Sequence, residues 1–281
     1  MIFVSTACLK GLNGGFEKDL FRVLELYKNS NIKNIELGSV HSEMDPDFLL
    51  KFLLKYKEEN DAKFIIHGFF PPIKESVMIN IGSQNKDILK KSMLIATNAI
   101  DLCRKLDAKL YSLHAAVLGE VDAHGIYITK KYDKEKVLET FEENLIKICG
   151  LAGSQGIKIA IENHGGECGD DFFTRKEHFL NLFEKLKIKN LGILIDVGHL
   201  NTAAKKFGFD RGDFIKSMQP KAFAVHCHEN DGSYDQHKNV NKETLRDFDK
   251  EIIKKIFITS EANGLGINDI IRGKNILEQS F

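Results

Sequence analysis

The chain is expected to fold as a (β/α)8 barrel, and three observations carry that expectation. Short apolar runs rich in β-formers alternate with longer segments of helical periodicity along the whole sequence. Eight such alternations fit within 281 residues, close to the roughly 250 residues typical of one barrel. Almost every strand candidate ends in His, Asp or Glu, as expected where strand ends build a site.

The strand candidates are Ile2 to Ser5, Asn34 to Leu37, Lys63 to His67, Lys109 to His114, Lys158 to Glu162, Gly192 to Asp196, Ala222 to His228, and Lys255 to Glu261. Between them, apolar residues returning at three and four positions predict helices over Glu17 to Asn29, Pro46 to Glu59, Lys86 to Leu106, Lys134 to Ser154, Lys176 to Leu186 and Lys242 to Ile253. Pro46 falls in a first helical turn behind Asp45 as N-cap, and Gly156 falls where a helix would stop. No Ser/Pro-rich break or low-complexity tract divides the chain, so residues 1–281 are expected to form one domain.

Lys plus Arg number 40 and Asp plus Glu also number 40, a balance that weighs against a polyanionic partner. The five cysteines are widely spaced without a CxxC pair, which fits reduced, buried thiols and a cytoplasmic protein. Neither a signal-like N-terminus nor a long apolar run points to a membrane.

The last residues of the strands are Glu36, His67, His114, Glu162, Asp196, the pair His226 and His228, and Glu261. Any one of these suits an ordinary hydrogen-bonding place at a barrel rim. Converging together on one axis, their carboxylates would repel unless protons or a cation compensated them, and a divalent metal is the economical solution. His199, three residues beyond Asp196, and Asp235 and His237, on the loop after strand seven, extend the set. Mixed nitrogen and oxygen donors suit zinc, manganese, cobalt or ferrous iron better than calcium.

These motifs resemble the xylose isomerase-like TIM barrels, a superfamily of sugar and sugar-phosphate isomerases and epimerases related to the endonuclease IV-type AP endonucleases. The resemblance runs through Ile66-His67-Gly68, Ile161-Glu162-Asn163-His164, Ile195-Asp196-Val197-Gly198-His199, Val225-His226-Cys227-His228-Glu229-Asn230-Asp231-Gly232 and Ser260-Glu261-Ala262. It implies one divalent metal (Mn, Zn, Co or Mg) on Glu162, Asp196, His226 and Glu261, with His228 the rival for the third place. By the endonuclease pattern, with up to three zinc ions, His67, His114, His199, Asp235 and His237 are ligands as well.

For the isomerases and epimerases the resemblance implies proton removal next to a carbonyl, with Glu162 and Glu261 as the acid/base pair and His67, His114 and His199 around the substrate. The competing implication is zinc-dependent phosphodiester hydrolysis at abasic DNA. Against it, the segment after strand six reads Asp-Val-Gly-His where the repair enzymes resemble Asp-Thr-Cys-His, and the net charge is zero. The expected partner is a small sugar or sugar phosphate, with nucleic acid only under the competing reading and homo-oligomerisation left open. A barrel that binds without turnover would lack a strand-end carboxylate, and none is missing.

Other features read as peripheral. Glu36 is a rim residue bonding His67 or substrate, His164 decorates a loop, and His41, His124 and His178 lie on the surface or in loops. Gly11-Leu12-Asn13-Gly14-Gly15 and Gly264-Leu265-Gly266 follow strands one and eight, where backbone amides can hold phosphate. After His237 the chain reads Lys-Asn-Val-Asn-Lys, without the Gly-rich segment common at this place in the superfamily.

Overall fold

The computed structural model describes residues 1–12, 15, 17–38, 44–73, 78–121, 132–166 and 169–280. Its eight parallel strands are β1 (Ile2–Ser5), β2 (Asn34–Leu37), β3 (Lys63–His67), β4 (Leu110–His114), β5 (Lys158–Glu162), β6 (Leu191–Asp196), β7 (Ala222–Cys227) and β8 (Phe257–Ser260). They close into a barrel in sequence order, the ring being completed where Ile2, Phe3 and Val4 pair with Ile258, Thr259 and Ser260.

Side chains alternate along a strand, so residues two apart share a face. This period places Ile65 below His67, Ala160 below Glu162, Leu194 below Asp196 and Ala224 below His226. All four belong to one buried cluster with Phe3 and Leu110. The cluster plugs the barrel interior and forms a dry floor beneath the polar strand ends. A second, larger core lies between the outer strand faces and the helices, drawing on Leu24, Leu53, Ala99, Leu145, Phe179, Phe214 and Ile270.

The outer helices are α1 (Leu20–Asn29), α2 (Pro46–Asn60), α3 (Lys86–Leu106), α4 (Lys134–Gly153), α5 (Lys176–Leu186), α6 (Val197–Phe207), α7 (Arg211–Met218), α8 (Lys250–Ile253) and α9 (Ile267–Glu278). Asp45 caps α2 by accepting from the Phe48 amide, with Pro46 in the first turn, and Gly156 adopts a φ of +68° just beyond α4. No helix among the described residues is long and apolar enough to cross a membrane.

Three helical expectations need correction. The segment from Glu17 enters helix only at Leu20, because Asp19 caps α1 through the Phe21 and Arg22 amides while Glu17 pairs with Arg22. The helix expected over Lys242 to Ile253 is reduced to Lys250–Ile253. Its first half is diverted into turns: the Asn241 amide donates to Thr244 Oγ1 and the Glu243 amide to Asn241 Oδ1, local bonds that compete with a helical ladder. His178 is no loop residue either; it sits in the first turn of α5, its Nδ1 accepting from the Arg175 amide.

Strand ends shift slightly. β7 stops at Cys227 and β8 at Ser260, so His228 and Glu261 stand just past the ladder. Cys8, Cys103, Cys149 and Cys227 are free and buried, as expected. His41, His124 and Cys168 lie outside the described residues.

Candidate metal centre

Donor atoms of Glu162, Asp196, His226 and Glu261 all lie within 4.8 Å of one another, and all four side chains are buried. They come from the ends of β5, β6, β7 and β8, the four consecutive staves that close the ring onto β1. His226 Nδ1 stands at the centre, 2.8 Å from Glu261, 3.8 Å from Asp196 and 3.9 Å from Glu162.

The other face of His226 explains why Nδ1 is presented there. Its Nε2 donates to Glu36 Oε2 at 3.0 Å, and the Thr259 hydroxyl donates to the same oxygen at 2.9 Å. An ionised carboxylate only accepts, so Nε2 carries a proton toward Glu36, and Nδ1 is the nitrogen turned toward the three remaining carboxylates. Glu36 therefore bonds His226 across the barrel, not His67 as the sequence led us to expect. Interior side chains of non-adjacent strands reach one another over the axis, whereas pairing along the sheet brings only the backbones of β2 and β3 together.

His67 lies beside this quartet, with Nε2 3.5 Å from Glu162 and Nδ1 bonded to Ser112 Oγ at 3.0 Å. It forms a second donor group with Glu162 and His226. His114 is more remote, its Nδ1 3.8 Å from Glu162, and it belongs to neither group. His164 stacks parallel to the His114 ring and bonds the Ala115 carbonyl.

A further group comprises His199, His228, Asp235 and His237. Asp196 organises its first member: as N-cap of α6 it accepts the His199 amide at 2.6 Å, so one residue ends a strand, starts a helix and faces the quartet. The loop after β7 folds back through paired backbone bonds between Glu229 and Lys238, which return Asp235 and His237 to the barrel mouth. His226 and His228 fall in different donor groups.

Several positioning residues escaped the sequence reading. Asn163 clamps β5 to β6 by accepting from the Asp196 amide at 2.8 Å and donating to its carbonyl at 3.2 Å, while its own carbonyl accepts from His199 Nδ1. Thr259 and Ser112 were signalled only by parity, each lying two residues before a strand-end candidate.

The electrostatics match this crowding. Burial favours protonated carboxyls, but the imidazoles outweigh it: Asp196 falls to about 2 beside His199 and His228, and Glu261 to about 2 beside His226. Glu162 is held well below the usual carboxylate range by His114, His199 and His67 against the same burial. For His226, burial works downward, yet Glu261 and Glu36 hold it well above the ordinary value. His114 goes the other way, lowered by burial to about 4 despite Glu162.

The donor set fits a divalent ion. Glu162 Oε2 and His226 Nδ1 are buried without a hydrogen-bond partner among the described residues, and both border the quartet. Three carboxylate oxygens and one imidazole nitrogen suit manganese, zinc, cobalt or magnesium, and a cation would relieve the same repulsion that the imidazolium protons relieve in its absence.

A closed eight-stranded parallel barrel with metal-ligand types gathered at its strand ends defines a TIM-barrel protein. The chain belongs to the xylose isomerase-like TIM barrel family, whose model matches residues 27–259. It is similar to an uncharacterized protein of Methanocaldococcus jannaschii, MJ1311, with 25% identity over 238 residues, 82% of this chain and 74% of that one. A probable endonuclease 4 of Buchnera aphidicola subsp. Baizongia pistaciae is 26% identical over 159 residues, 54% of this chain and 52% of its own length. Among solved structures, a D-tagatose 3-epimerase-like protein superposes with a TM-score of 0.72 at 22% identity, covering 99% of this chain and 96% of its own.

Proposed function

We propose that the protein is a metal-dependent isomerase or epimerase of a sugar or sugar phosphate, acting by proton transfer at a carbon next to a carbonyl. The observation that carries this reading is the shared position of Glu162 and Glu261: two buried carboxylates from β5 and β8 within one four-donor group. The likeness to an epimerase-like solved structure supports a sugar as substrate, and this chain's own residues carry the proposed chemistry.

A divalent ion held by Glu162, Asp196, His226 and Glu261 would polarise the substrate carbonyl and stabilise the negative charge that develops on its oxygen. Both glutamates start ionised. One takes the proton from one face of the carbon, the other picks up a proton from water and returns it to the opposite face, and the first then releases its proton to water, so charge and hydrogen balance over the turnover. His67, His114 and His199 line the same mouth and hold substrate hydroxyls; His114, kept neutral by burial, can donate or accept there. The buried floor of Phe3, Ile65, Leu110 and Leu194 excludes water from below.

The test is solvent deuterium exchange. Ketohexoses and their phosphates are incubated in D2O with metal-loaded protein, and deuterium at the carbon next to the carbonyl is read by NMR. Exchange that disappears in Glu162→Gln and in Glu261→Gln supports the reading, while undiminished exchange in either variant removes that residue from the acid/base pair.

A second reading, phosphodiester hydrolysis at abasic DNA, is favoured by one observation: the additional donors His199, Asp235 and His237 beside the quartet. Cleavage of an abasic-site duplex by the zinc-loaded protein, without sugar exchange, would establish it instead.

A further inference from the structure

We propose that His228 is a positioning residue: its imidazole fixes the Asp196 carboxylate in the orientation that the quartet requires, and Gly198 is the residue that admits it. This role rests on the quartet's being a metal site, as proposed above, and not on the reaction it serves.

Two donors restrain the Asp196 carboxylate. Its Oδ1 accepts the His199 amide at 2.6 Å, the N-cap bond of α6. That bond alone leaves the carboxylate free to turn, because the terminal torsion of an aspartate is broad rather than confined to staggered wells. Asn163 holds the Asp196 backbone and does not touch the carboxylate. His228 Nε2 removes the remaining freedom by standing 3.0 Å from Oδ1 and 3.1 Å from Oδ2, across both oxygens. An ionised carboxylate only accepts, so Nε2 is the donor. The carboxylate plane is then set, with Oδ2 3.8 Å from His226 Nδ1 inside the quartet.

The His228 ring is itself held in place for this contact. It is fully buried, and the His237 ring stacks on it with centroids 4.0 Å apart and planes 18° apart. Its Nδ1 lies 3.6 Å from Asp235 Oδ1 and has no hydrogen-bond partner among the described residues. Burying an imidazole with one nitrogen unpaired costs stability, so packing alone would be better served by an apolar side chain. A Cβ at position 198 would overlap the ring at Cε1, Nδ1 and Nε2. Alanine is ordinarily favoured over glycine inside a helix, and here the glycine leaves room for the imidazole. Asn230 Nδ2 donates to the Gly198 carbonyl at 2.8 Å, fastening the loop after β7 to the same turn of α6. The departure noted above, Asp-Val-Gly-His in place of Asp-Thr-Cys-His, thus has a steric meaning. A cysteine at 198 would carry the overlapping Cβ, so Gly198 and the buried His228 go together.

The test measures manganese affinity of the full chain by chelator competition and records the EPR spectrum of the bound ion. His228→Leu, which fills the space without a donor, should weaken binding by about 10–100-fold and change the spectrum. His228→Gln, whose amide N–H can reach toward Asp196, should recover most of both. Gly198→Ala removes no polar group and favours helix, yet should weaken binding to a similar extent. In a His228→Ala background, where the ring is gone, the same glycine substitution should do little. Wild-type affinity in His228→Leu, no recovery in His228→Gln, or equal effects of Gly198→Ala in the two backgrounds would overturn the proposal. The last comparison decides the matter if His228→Leu does not fold. No sugar enters these measurements, so absent exchange activity bears on the proposed function alone, whereas a wild-type protein that binds no manganese would remove both.

Discussion

His226 Nε2 and Glu36 Oε2 lie 3.0 Å apart, both residues fully buried, on strands that are not neighbours in the sheet. This bond sets the tautomer of the only imidazole in the quartet and turns Nδ1 toward the three carboxylates.

Weakening it should weaken metal binding without unfolding the barrel. Glu36→Gln keeps the shape but offers a neutral acceptor or a competing donor, and an outer partner of this kind commonly contributes about 10–100-fold to affinity. Chelator competition with manganese measures it. An unchanged affinity would mean that Glu36 serves packing alone.

Asn163 ties Asp196 in place through both of its side-chain polar groups. Asn163→Ala leaves the buried Asp196 amide without that acceptor, at a cost of about 1–3 kcal/mol. Urea unfolding should register the loss, and metal affinity should fall with it. Asn163→Asp should restore the acceptor for the amide yet place a carboxylate against the Asp196 carbonyl, so partial rescue at best is expected.

Stability should also carry a pH signature from His178. Burial lowers its pKa below the ordinary 6.5, partly offset by Asp171. A group depressed on folding contributes fully above the unfolded value and loses its contribution as pH falls. The stability difference between wild type and His178→Gln should therefore shrink as pH drops below about 6.5. A difference that stays constant between neutral and acidic pH would contradict the burial argument.

The floor of the barrel gives a control. Leu194→Ala should cost about 2–5 kcal/mol through the lost transfer and the cavity left inside the ring. Because Leu194 carries no donor and lies one interior layer below Asp196, quartet metal stoichiometry should remain unchanged in the folded variant. Fewer ions per folded chain would show that the layers are not separable.

Much of the site was legible in the sequence because parallel strands read as short apolar runs that stop abruptly, and Glu162, Asp196 and His67 stand at those stops. Their convergence followed from barrel geometry. Glu36 was misassigned because strand adjacency points to His67, while interior side chains reach across the axis to His226. The place of His228 was hidden for another reason: period-two alternation puts it with His226, but β7 ends at Cys227 and the ring turns toward α6 over Gly198. Asp196-Val-Gly-His199, read as a ligand motif, is also the first turn of α6. In the segment from Lys242, apolar periodicity was real but lost to Asn241 and Thr244, whose side chains close turns.

The most direct test of the central claim counts ions. Metal content per chain, measured after reconstitution with manganese and zinc and removal of free ion, is compared between wild type and the Glu162→Ala, Glu261→Ala double variant, with circular dichroism confirming the fold. The quartet account predicts one ion fewer in the variant. Equal stoichiometry in the two proteins, or no bound ion in the wild type, would contradict it.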